Sequence, residues 1–219
     1  ATVRRDLRLL AAQGEVRRVH GGAMVAQSTA PEPVFDDKTA LAAAEKRRIA
    51  AAALRLVGPR ETLYLDGGST VLALAVLLKE RTDLTVVTNS LRVLTELAAG
   101  GPALIVVGGE LRRLSQTFVG PLSRFTLEQL HVDKAFMGTI GLEARAGLTT
   151  TDPREAYTKA LVMEHARQVI VLADSSKLGQ VSFARAGGLE RVNMLITDRR
   201  ATCGALRDFA QRGIKVLTV

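Results

Sequence analysis

A loop of glycines and hydroxyl residues, Asp66-Gly67-Gly68-Ser69-Thr70, is the part of this chain best suited to hold an anion. It follows the apolar run at 62–65 and precedes a Leu/Ala/Val segment, which indicates a strand, a tight turn and a helix. The glycines permit unusual backbone conformations, and Ser69 or Thr70 can cap the helix. The free N–H groups and dipole of such a helix start favour a phosphate. An ordinary turn between a strand and a helix would look the same, because short glycine motifs are not specific.

Similar polar residues end several other apolar runs along the chain. These residues are Thr88, Asn89 and Ser90, then Gly108 and Gly109, then Gly138, Thr139 and Gly141, then Asp174 to Lys177, and finally Asp198. Continuous apolar runs without alternation indicate strands buried on both faces, hence an α/β fold with a mainly parallel, Rossmann-like sheet flanked by helices. The carboxyl ends of parallel strands open at one edge of a sheet, where ligands bind. We therefore expect the polar clusters to converge.

The residue types at this edge suit a phosphate that carries neighbouring hydroxyl groups. Lys177 could neutralise the anion, and Asp66 and Asp174 could accept hydrogen bonds from sugar hydroxyls or merely cap turns. Lys159 follows Glu155 by four residues in a helix-like segment, so an ordinary ion pair along the helix is its simpler interpretation. The candidate effector-binding residues are Asp66, Gly67, Gly68, Ser69, Thr70, Thr88, Asn89, Ser90, Gly108, Gly109, Gly138, Thr139, Gly141, Lys159, Asp174 and Lys177.

Composition narrows the class of protein. The chain has 219 residues, of which 47% are hydrophobic, enough for one sizeable α/β core with a small appendage. One cysteine and three scattered histidines predict neither a disulfide nor a metal site, and no cofactor is expected. No run has the length of a membrane span or the pattern of a signal peptide, so we expect a cytoplasmic protein without membrane contact.

The net charge of +8 indicates contact with a polyanion, and its densest part lies at the front of the chain. Residues 1–23 hold five arginines against two acids. Residues 2–13 have helical apolar spacing before Gly14, and residues 15–23 alternate basic and apolar positions before a glycine pair. This pattern predicts the last helix and the β-ribbon of a winged helix-turn-helix. A solvated helix with an exposed run of charge is the alternative.

Residues 24–40 have the Ser, Thr, Pro and Asp content of a linker, and a helix is predicted from Leu41 to Val57. On that helix, Lys46, Arg47 and Arg48 could form a second nucleic-acid patch, although a solvated face is the simpler interpretation. The predicted organisation is a basic helix and ribbon at 1–23, a linker at 24–40 and an α/β ligand-binding domain at 41–219.

The N-terminal segment resembles the DeoR family of bacterial transcriptional regulators. The matching residues are Thr2-Val3-Arg4-Arg5-Asp6-Leu7, Leu10, Gly14 and Arg18-Val19-His20-Gly21-Gly22-Ala23. The resemblance implies a recognition helix and a wing that contact operator DNA through Thr2, Arg4, Arg5, Arg17, Arg18 and His20. The first helices of the family's DNA-binding domain would precede Ala1, so we expect this chain to be part of a longer repressor.

The later clusters resemble the sensor domain of the same family. The matching segments are Leu65 to Thr70, Val87 to Ser90, Val107 to Gly109, Gly120-Pro121, Val132 to Phe136, Gly138 to Leu142 and Leu172 to Lys177. The resemblance implies a fold similar to ribose-5-phosphate isomerase and glucosamine-6-phosphate deaminase, a phosphorylated sugar or related metabolite as effector, and a homo-oligomer, often a dimer or tetramer. It also implies that residues 1–23 are a truncated DNA-binding domain and that residues 41–219 are a sensor domain. A sugar-phosphate isomerase is the alternative function. In those enzymes a Gly-Ala-Asp-Glu motif supplies carboxylates, and this sequence has Gly138-Thr139-Ile140-Gly141 at the similar place, which favours a binding protein.

Overall fold

The computed structural model describes residues 6, 16–19, 22–25, 32 and 34–219. Contacts divide the chain into one unit of residues 1–31 and a second of residues 32–219. In the first unit, strands β1 (Val16–Val19) and β2 (Gly22–Val25) pair antiparallel, as the alternating pattern predicts. Arg17 and Arg18 lie in β1. The rest of the predicted recognition helix, with Thr2, Arg4 and Arg5, lies outside the described residues, as does His20.

The second unit alternates strands and helices. Its helices are α1 (Phe35–Ala40), α2 (Ala43–Leu54), α3 (Ser69–Leu77), α4 (Leu91–Leu97), α5 (Arg124–Leu127), α6 (Pro153–His165) and α7 (Cys203–Gln211). Its strands are β3 (Thr62–Leu65), β4 (Thr85–Thr88), β5 (Ala103–Val106), β6 (Glu110–Arg112), β7 (Thr117–Val119), β8 (Val132–Met137), β9 (Gly141–Glu143), β10 (Gly147–Thr150), β11 (Ala166–Leu172), β12 (Ala184–Gly187), β13 (Met194–Thr197) and β14 (Lys215–Thr218).

Seven strands form one sheet in the order β14-β13-β11-β8-β3-β4-β5, and each neighbouring pair is parallel. This confirms the predicted parallel sheet. The apolar runs form central strands because both of their faces are covered. Leu63 and Leu65 of β3 pack into one hydrophobic cluster, whereas Tyr64 between them packs into the other. Helices α2, α3 and α4 cover the first face, and α6, α7 and a small antiparallel sheet of β12, β10 and β9 cover the second.

The strand order places a crevice beside the centre of the sheet. From β3 the chain adds β4 and β5 on one side, and the later strands β8, β11, β13 and β14 lie on the other. The direction of winding therefore reverses between β3 and β8, and ligands of open α/β sheets bind outside the carboxyl ends of the strands at such a point. The loop at 66–70 follows β3, and Gly138 follows β8.

Parts of the fold differ from what the sequence pattern indicates. Residues 35–40 form helix α1 inside the segment that resembles a linker by composition, because Phe35 is buried. The pairs β6–β7 and β9–β10 and the edge strand β14 are too short or too mixed in composition to be recognised by periodicity. Within the described part of the chain, no helix combines the length and the apolar character needed to cross a bilayer.

Two phenylalanines allow a matched test of the core. Phe136 lies in the central strand β8 with no exposed surface, whereas Phe125 is 80% exposed. We expect Phe136→Ala to lower the free energy of unfolding by about 3–5 kcal/mol, because it leaves a cavity between sheet and helices. Phe125→Ala should change it by less than about 0.5 kcal/mol. Urea unfolding followed by circular dichroism measures both, and equal losses would contradict this arrangement of the core.

Candidate functional site

A cavity of about 630 Å³ opens at the carboxyl edge of the sheet, beside β3 and β8. The candidate residues that line it are Gly67, Gly68, Ser69, Thr70, Gly138, Thr139, Lys159, Asp174 and Lys177. Further lining residues are Phe35, Lys38, Leu41, Ala42, Lys46, Ser115, Ile140, Glu155, Leu172, Ala173, Ser175, Ser176, Leu178, Arg200, Thr202 and Ala205. Three separate loops of the sequence, after β3, β8 and β11, therefore meet in one cavity.

The start of helix α3 supplies backbone donors to this cavity. Its first residues, Ser69 and Thr70, are buried, and the preceding residue, Gly68, has a φ of 127° and no capping side chain. The first N–H groups of a helix have no partner within the helix, so those of α3 can bind an anion. The loop also needs glycine at Gly138, since an added Cβ there would lie 2.7 Å from the carbonyl oxygen of Gly67.

Lys159 of α6 joins the two central loops. Its buried ammonium contacts the Asp66 carboxylate and donates to the carbonyl of Gly138 at 3.1 Å, and Asp66 also accepts from the N–H of Gly138 at 3.0 Å. Glu155 is farther away, with its Oε1 3.6 Å from the ammonium. Burial would lower the pKa of Lys159, but Asp66 and Glu155 outweigh it and raise that pKa. The ion pair with Asp66, which lies far away in the sequence, is thus closer than the pair with Glu155 along the helix. Because its pKa is raised, Lys159 carries a positive charge.

Glu155 connects the cavity to a second ionic cluster. Its Oε2 accepts from Arg112 at 3.2 Å, and Arg112 also donates to Glu32 at 2.6 Å and to Asp152 at 3.2 Å. Burial raises the pKa of Glu155 despite the nearby ammonium of Lys159. Burial opposes ionisation of Glu32 too, yet hydrogen bonds from Arg112, Lys38 and Thr151 lower its pKa to about 2. The hydroxyl group of Thr151 donates to the Glu32 carboxylate.

Basic side chains outnumber acidic ones around the cavity. Lys38 pairs with Glu32, and Arg200 pairs with Glu45 and Asp198. Among the ion pairs of the described residues, by contrast, none involves Lys46 or Lys177.

Lys46 is 7% exposed, and its pKa is lowered by burial and by the charges of Lys177 and Lys38, against the opposing attraction of Asp174. A buried ammonium with no carboxylate partner is costly, so an incoming anion would stabilise it. Lys46 and Lys177 are therefore the lysines most open to a ligand.

A short turn after β11 presents hydroxyl groups to the same cavity. Asp174 accepts from the N–H of Ser176 at 3.1 Å and from its hydroxyl at 2.5 Å, so this acid caps the turn as well as lining the cavity. Asp198, at the end of β13, accepts from the N–H of Ser175 at 2.7 Å. These acids fix the turn that carries Lys177.

Other candidate residues lie at the strand ends but not in the cavity lining. Thr88 donates to the carbonyl of Leu65 at 2.6 Å, Asn89 donates to that of Phe118 at 2.9 Å, and Ser90 caps α4. The hairpin of β6 and β7 pairs with Asn89 and Ser90 at the end of β4, whereas Thr88 bonds to the end of β3. The remaining candidates outside the lining are Asp66, Gly108, Gly109 and Gly141. Asp66 acts through Lys159, and an added Cβ at Gly109 or Gly141 would meet neighbouring backbone at 2.8 or 2.4 Å.

Sequence reasoning missed several lining residues, of which Lys46 is the most informative. The expected solvated face holds for the exposed Arg47 and Arg48, but it is wrong for Lys46. The sequence did indicate that Lys46 is buried, because it shares helical spacing with Ile49, Ala50 and Ala53, which are the buried side of α2. Lys38 and Arg200 had no comparable signal, since one lies in linker-like sequence and the other beyond the last recognised strand.

The acidic side chains around the cavity are engaged within the protein. Glu155 in the lining is held by Arg112 and Lys159, Asp174 caps its turn, and Asp66, outside the lining, pairs with Lys159. No group of His, Cys, Asp and Glu side chains within the described ranges could hold a metal ion. The cavity presents the N–H groups at the start of α3, several hydroxyls and the ammonium groups of Lys46 and Lys177, which together favour an anion with hydroxyl neighbours.

Two family models match the chain. The model described as "DeoR C terminal sensor domain" matches residues 41–199, and the one described as "DeoR-like helix-turn-helix domain" matches residues 1–29. A candidate repressor of the aga operon from Escherichia coli O157:H7 is 35% identical over 100% of this chain and 82% of its own length. The transcriptional regulator GlpR of Haloferax volcanii is 34% identical over 99% of this chain and 85% of its own length.

One solved structure resembles part of this chain. Ribose-5-phosphate isomerase A from Methanocaldococcus jannaschii aligns with a TM-score of 0.45 at 20% identity, covering 60% of this chain and 52% of its own.

The pKa of Glu32 leads to a pH-dependent test. Because its pKa falls from 4.5 to about 2 on folding, its ionisation stabilises the fold fully above pH 4.5, and this contribution is lost as the pH falls towards 2. We expect Glu32→Gln to lower the free energy of unfolding by about 2 kcal/mol at pH 6, and this deficit should shrink steadily below pH 4.5. Urea titrations at several pH values measure it. A constant deficit down to pH 2.5 would contradict the assignment, and the exposed Glu128→Gln serves as control.

Proposed function

Because this chain belongs to the DeoR family of transcriptional regulators, we propose that its cavity binds the phosphate group of a phosphorylated sugar and that this binding controls the contact of the N-terminal residues with operator DNA. The effector enters at the carboxyl edge of the sheet. The candidate residues in the cavity lining hold it, and Asp66 keeps Lys159 in place.

One observation carries this proposal: two lysines that form no ion pair with any acid the structure describes line the same cavity as an uncapped helix start. Lys46 and Lys177 supply positive charge, and the first N–H groups of α3 supply directed donors. A phosphate dianion presents several acceptor oxygens, so it can use all of these groups at once. An uncharged ligand would leave Lys46 with only the neutral carbonyl of Lys38 and the attraction of Asp174 to offset its burial.

The rest of the cavity suits the sugar. Ser115, Ser175 and Ser176 have hydroxyl groups in the lining, and those of Ser175 and Ser176 already donate to Asp198 and Asp174. Their oxygen lone pairs can accept hydrogen bonds from sugar hydroxyls. The volume of about 630 Å³ exceeds that of a phosphate ion and lies within the range of small-molecule sites.

The relatives support regulation by repression. One is named as a repressor of the aga operon, and another, from Agrobacterium fabrum, is named transcriptional repressor AccR. We extend this to the present chain as a cytoplasmic repressor of a sugar operon that acts as a homo-oligomer. The ligand shifts the equilibrium between DNA-binding and non-binding forms only by its difference in affinity for the two.

We further propose that the chain does not catalyse isomerisation of its effector. In support, Ile140 and Gly141 stand where the isomerases resembled by the sequence carry acids, and Glu155 and Asp66 are engaged by basic side chains. Incubation with pentose and hexose phosphates, followed by an assay for the isomeric sugar, tests this point. Sustained turnover would establish the enzyme alternative instead.

Lysine variants test the phosphate site. A thermal-shift screen of pentose and hexose monophosphates selects the best ligand, since binding raises apparent stability. For that ligand, we expect Lys46→Met and Lys177→Met each to weaken binding about tenfold or more in calorimetry, because each removes a charge-assisted contact. Lys79→Met is the matched control, because Lys79 pairs with Glu96 at the surface. Unchanged affinity in both cavity variants, or equal affinity for the unphosphorylated sugar, would refute the site.

Arginine variants test the DNA contact. In the full-length protein, we expect Arg4→Ala and Arg5→Ala each to weaken operator binding about tenfold in gel shifts, with loss of sequence discrimination where the arginine contacts a base. A phosphate contact would instead lower affinity for all sequences and reduce the dependence on salt. Arg207→Ala, in the C-terminal helix α7, is the control. Wild-type affinity in both N-terminal variants would remove that segment from the interface.

A further inference from the structure

Helix α1 forms part of the cavity wall. Phe35 and Lys38 of this helix line the cavity, and so do Leu41 and Ala42 directly after it. The helix follows residues 1–31 in the chain after only a few residues. The wall of the proposed effector site is thus also the stretch of chain that continues into the N-terminal unit.

The carbonyl of Lys38 is held by two groups of the proposed phosphate site. The Ser69 hydroxyl donates to it at 3.3 Å, and the Lys46 ammonium donates to it as well. Lys38 is among the last four residues of α1, whose carbonyls have no partner within a helix. The helix stops there, because Leu41 is extended and Ala42 has a left-handed φ of 51°. Cavity donors therefore satisfy the end of α1.

We propose that a bound phosphate and the carbonyl of Lys38 compete for the Ser69 hydroxyl and the Lys46 ammonium, so that effector binding releases the C-terminal end of α1. This inference rests on the proposed function of the cavity. It adds the step by which occupancy of the cavity changes the chain that leads to the DNA-binding residues.

The chemistry of the two acceptors favours the phosphate. A phosphate oxygen carries negative charge, whereas the carbonyl of Lys38 is neutral. The Ser69 hydroxyl therefore exchanges a neutral hydrogen bond for a charge-assisted one, which is roughly twice as strong, and Lys46 exchanges a neutral acceptor for an ion pair. Lys46 gains most from the exchange, since burial and neighbouring lysines disfavour its charge. A phosphate placed at the start of α3 meets the Ser69 hydroxyl at the same point, because Ser69 is the first residue of that helix.

The contacts of Glu32 limit the release to the C-terminal end of α1. The side chain of Lys38 pairs with Glu32, and Glu32 is bound to Arg112 and Thr151 on the body of the domain. A phosphate can attract the Lys38 ammonium, but Glu32 also keeps its bonds from Arg112 and Thr151, which do not line the cavity. The start of the segment thus remains attached when the carbonyl of Lys38 is released, and α1 loosens from its C-terminal end.

Hydrogen exchange measured by mass spectrometry tests the proposal on the whole chain, with inorganic phosphate as the probe and sodium chloride at equal ionic strength as the reference. Phosphate should slow exchange in peptides that cover 68–73 and 174–178. It should speed exchange about fivefold in the peptide that covers 37–43, where the N–H of Leu41 now donates to Asp37.

Variants that remove a donor to the Lys38 carbonyl test the proposal without any ligand. Ser69→Ala removes one of the two donors to the Lys38 carbonyl, so exchange at 37–43 should rise about threefold to fivefold without phosphate, and phosphate should add less than it does in the wild type. Thr95→Ala is the control, because the Thr95 hydroxyl donates to Leu91 on an exposed part of α4. Lys46→Gln is the second variant and should act in the same direction as Ser69→Ala.

The outcomes separate this proposal from the function of the cavity. Slower exchange at 68–73 with unchanged or slower exchange at 37–43 would overturn the competition and leave the phosphate site intact. No response of either segment to phosphate would count against both. Wild-type exchange at 37–43 in ligand-free Ser69→Ala and Lys46→Gln would overturn the competition whether or not phosphate binds.

Discussion

The buried ammonium of Lys159 is the contact on which the site depends. It joins the Asp66 carboxylate after β3 to the carbonyl of Gly138 after β8, and it comes from α6 on one face of the sheet. A charge with 3% exposure is tolerated only when it is paired and hydrogen-bonded. The pair therefore fixes the distance between the two central loops. The crevice between β3 and β8, where the winding of the sheet reverses, keeps its shape because of it.

The basic residues at the site fall into two groups, according to whether an acidic side chain pairs with them. Lys159, Lys38 and Arg112 have acidic partners and hold the architecture, whereas Lys46 and Lys177 line the cavity without them. The acids are likewise engaged, so the cavity offers a net positive field and directed donors but no free base. This distribution supports our proposal of an anion-binding protein, because an isomerase would need a carboxylate left free near the substrate carbon.

The sequence predicts the parallel sheet, the loop at 66–70 and the convergence of three loops, because these follow from local patterns of apolar runs and glycines. It does not predict which of the polar groups form hydrogen bonds within the protein and are therefore unavailable to a ligand. Thr88, Asn89 and Ser90 end a strand as the others do, yet Thr88 bonds to the end of β3, and Asn89 and Ser90 pair with the hairpin of β6 and β7. Non-local contacts of this kind leave no trace in periodicity. Lys46 was recognisable from the stripe of α2, whereas Lys38 became part of the site only through the tertiary position of α1.

The central claim is that the start of α3, Lys46 and Lys177 form one site for a phosphate-like anion. The most direct test is a crystal of the protein soaked in tungstate, a heavy analogue of phosphate whose position is given by anomalous scattering. The account predicts a peak in the cavity within hydrogen-bonding distance of the N–H groups of Ser69 and Thr70 and near both lysines. Peaks confined to surface arginines, with an empty cavity, would contradict it.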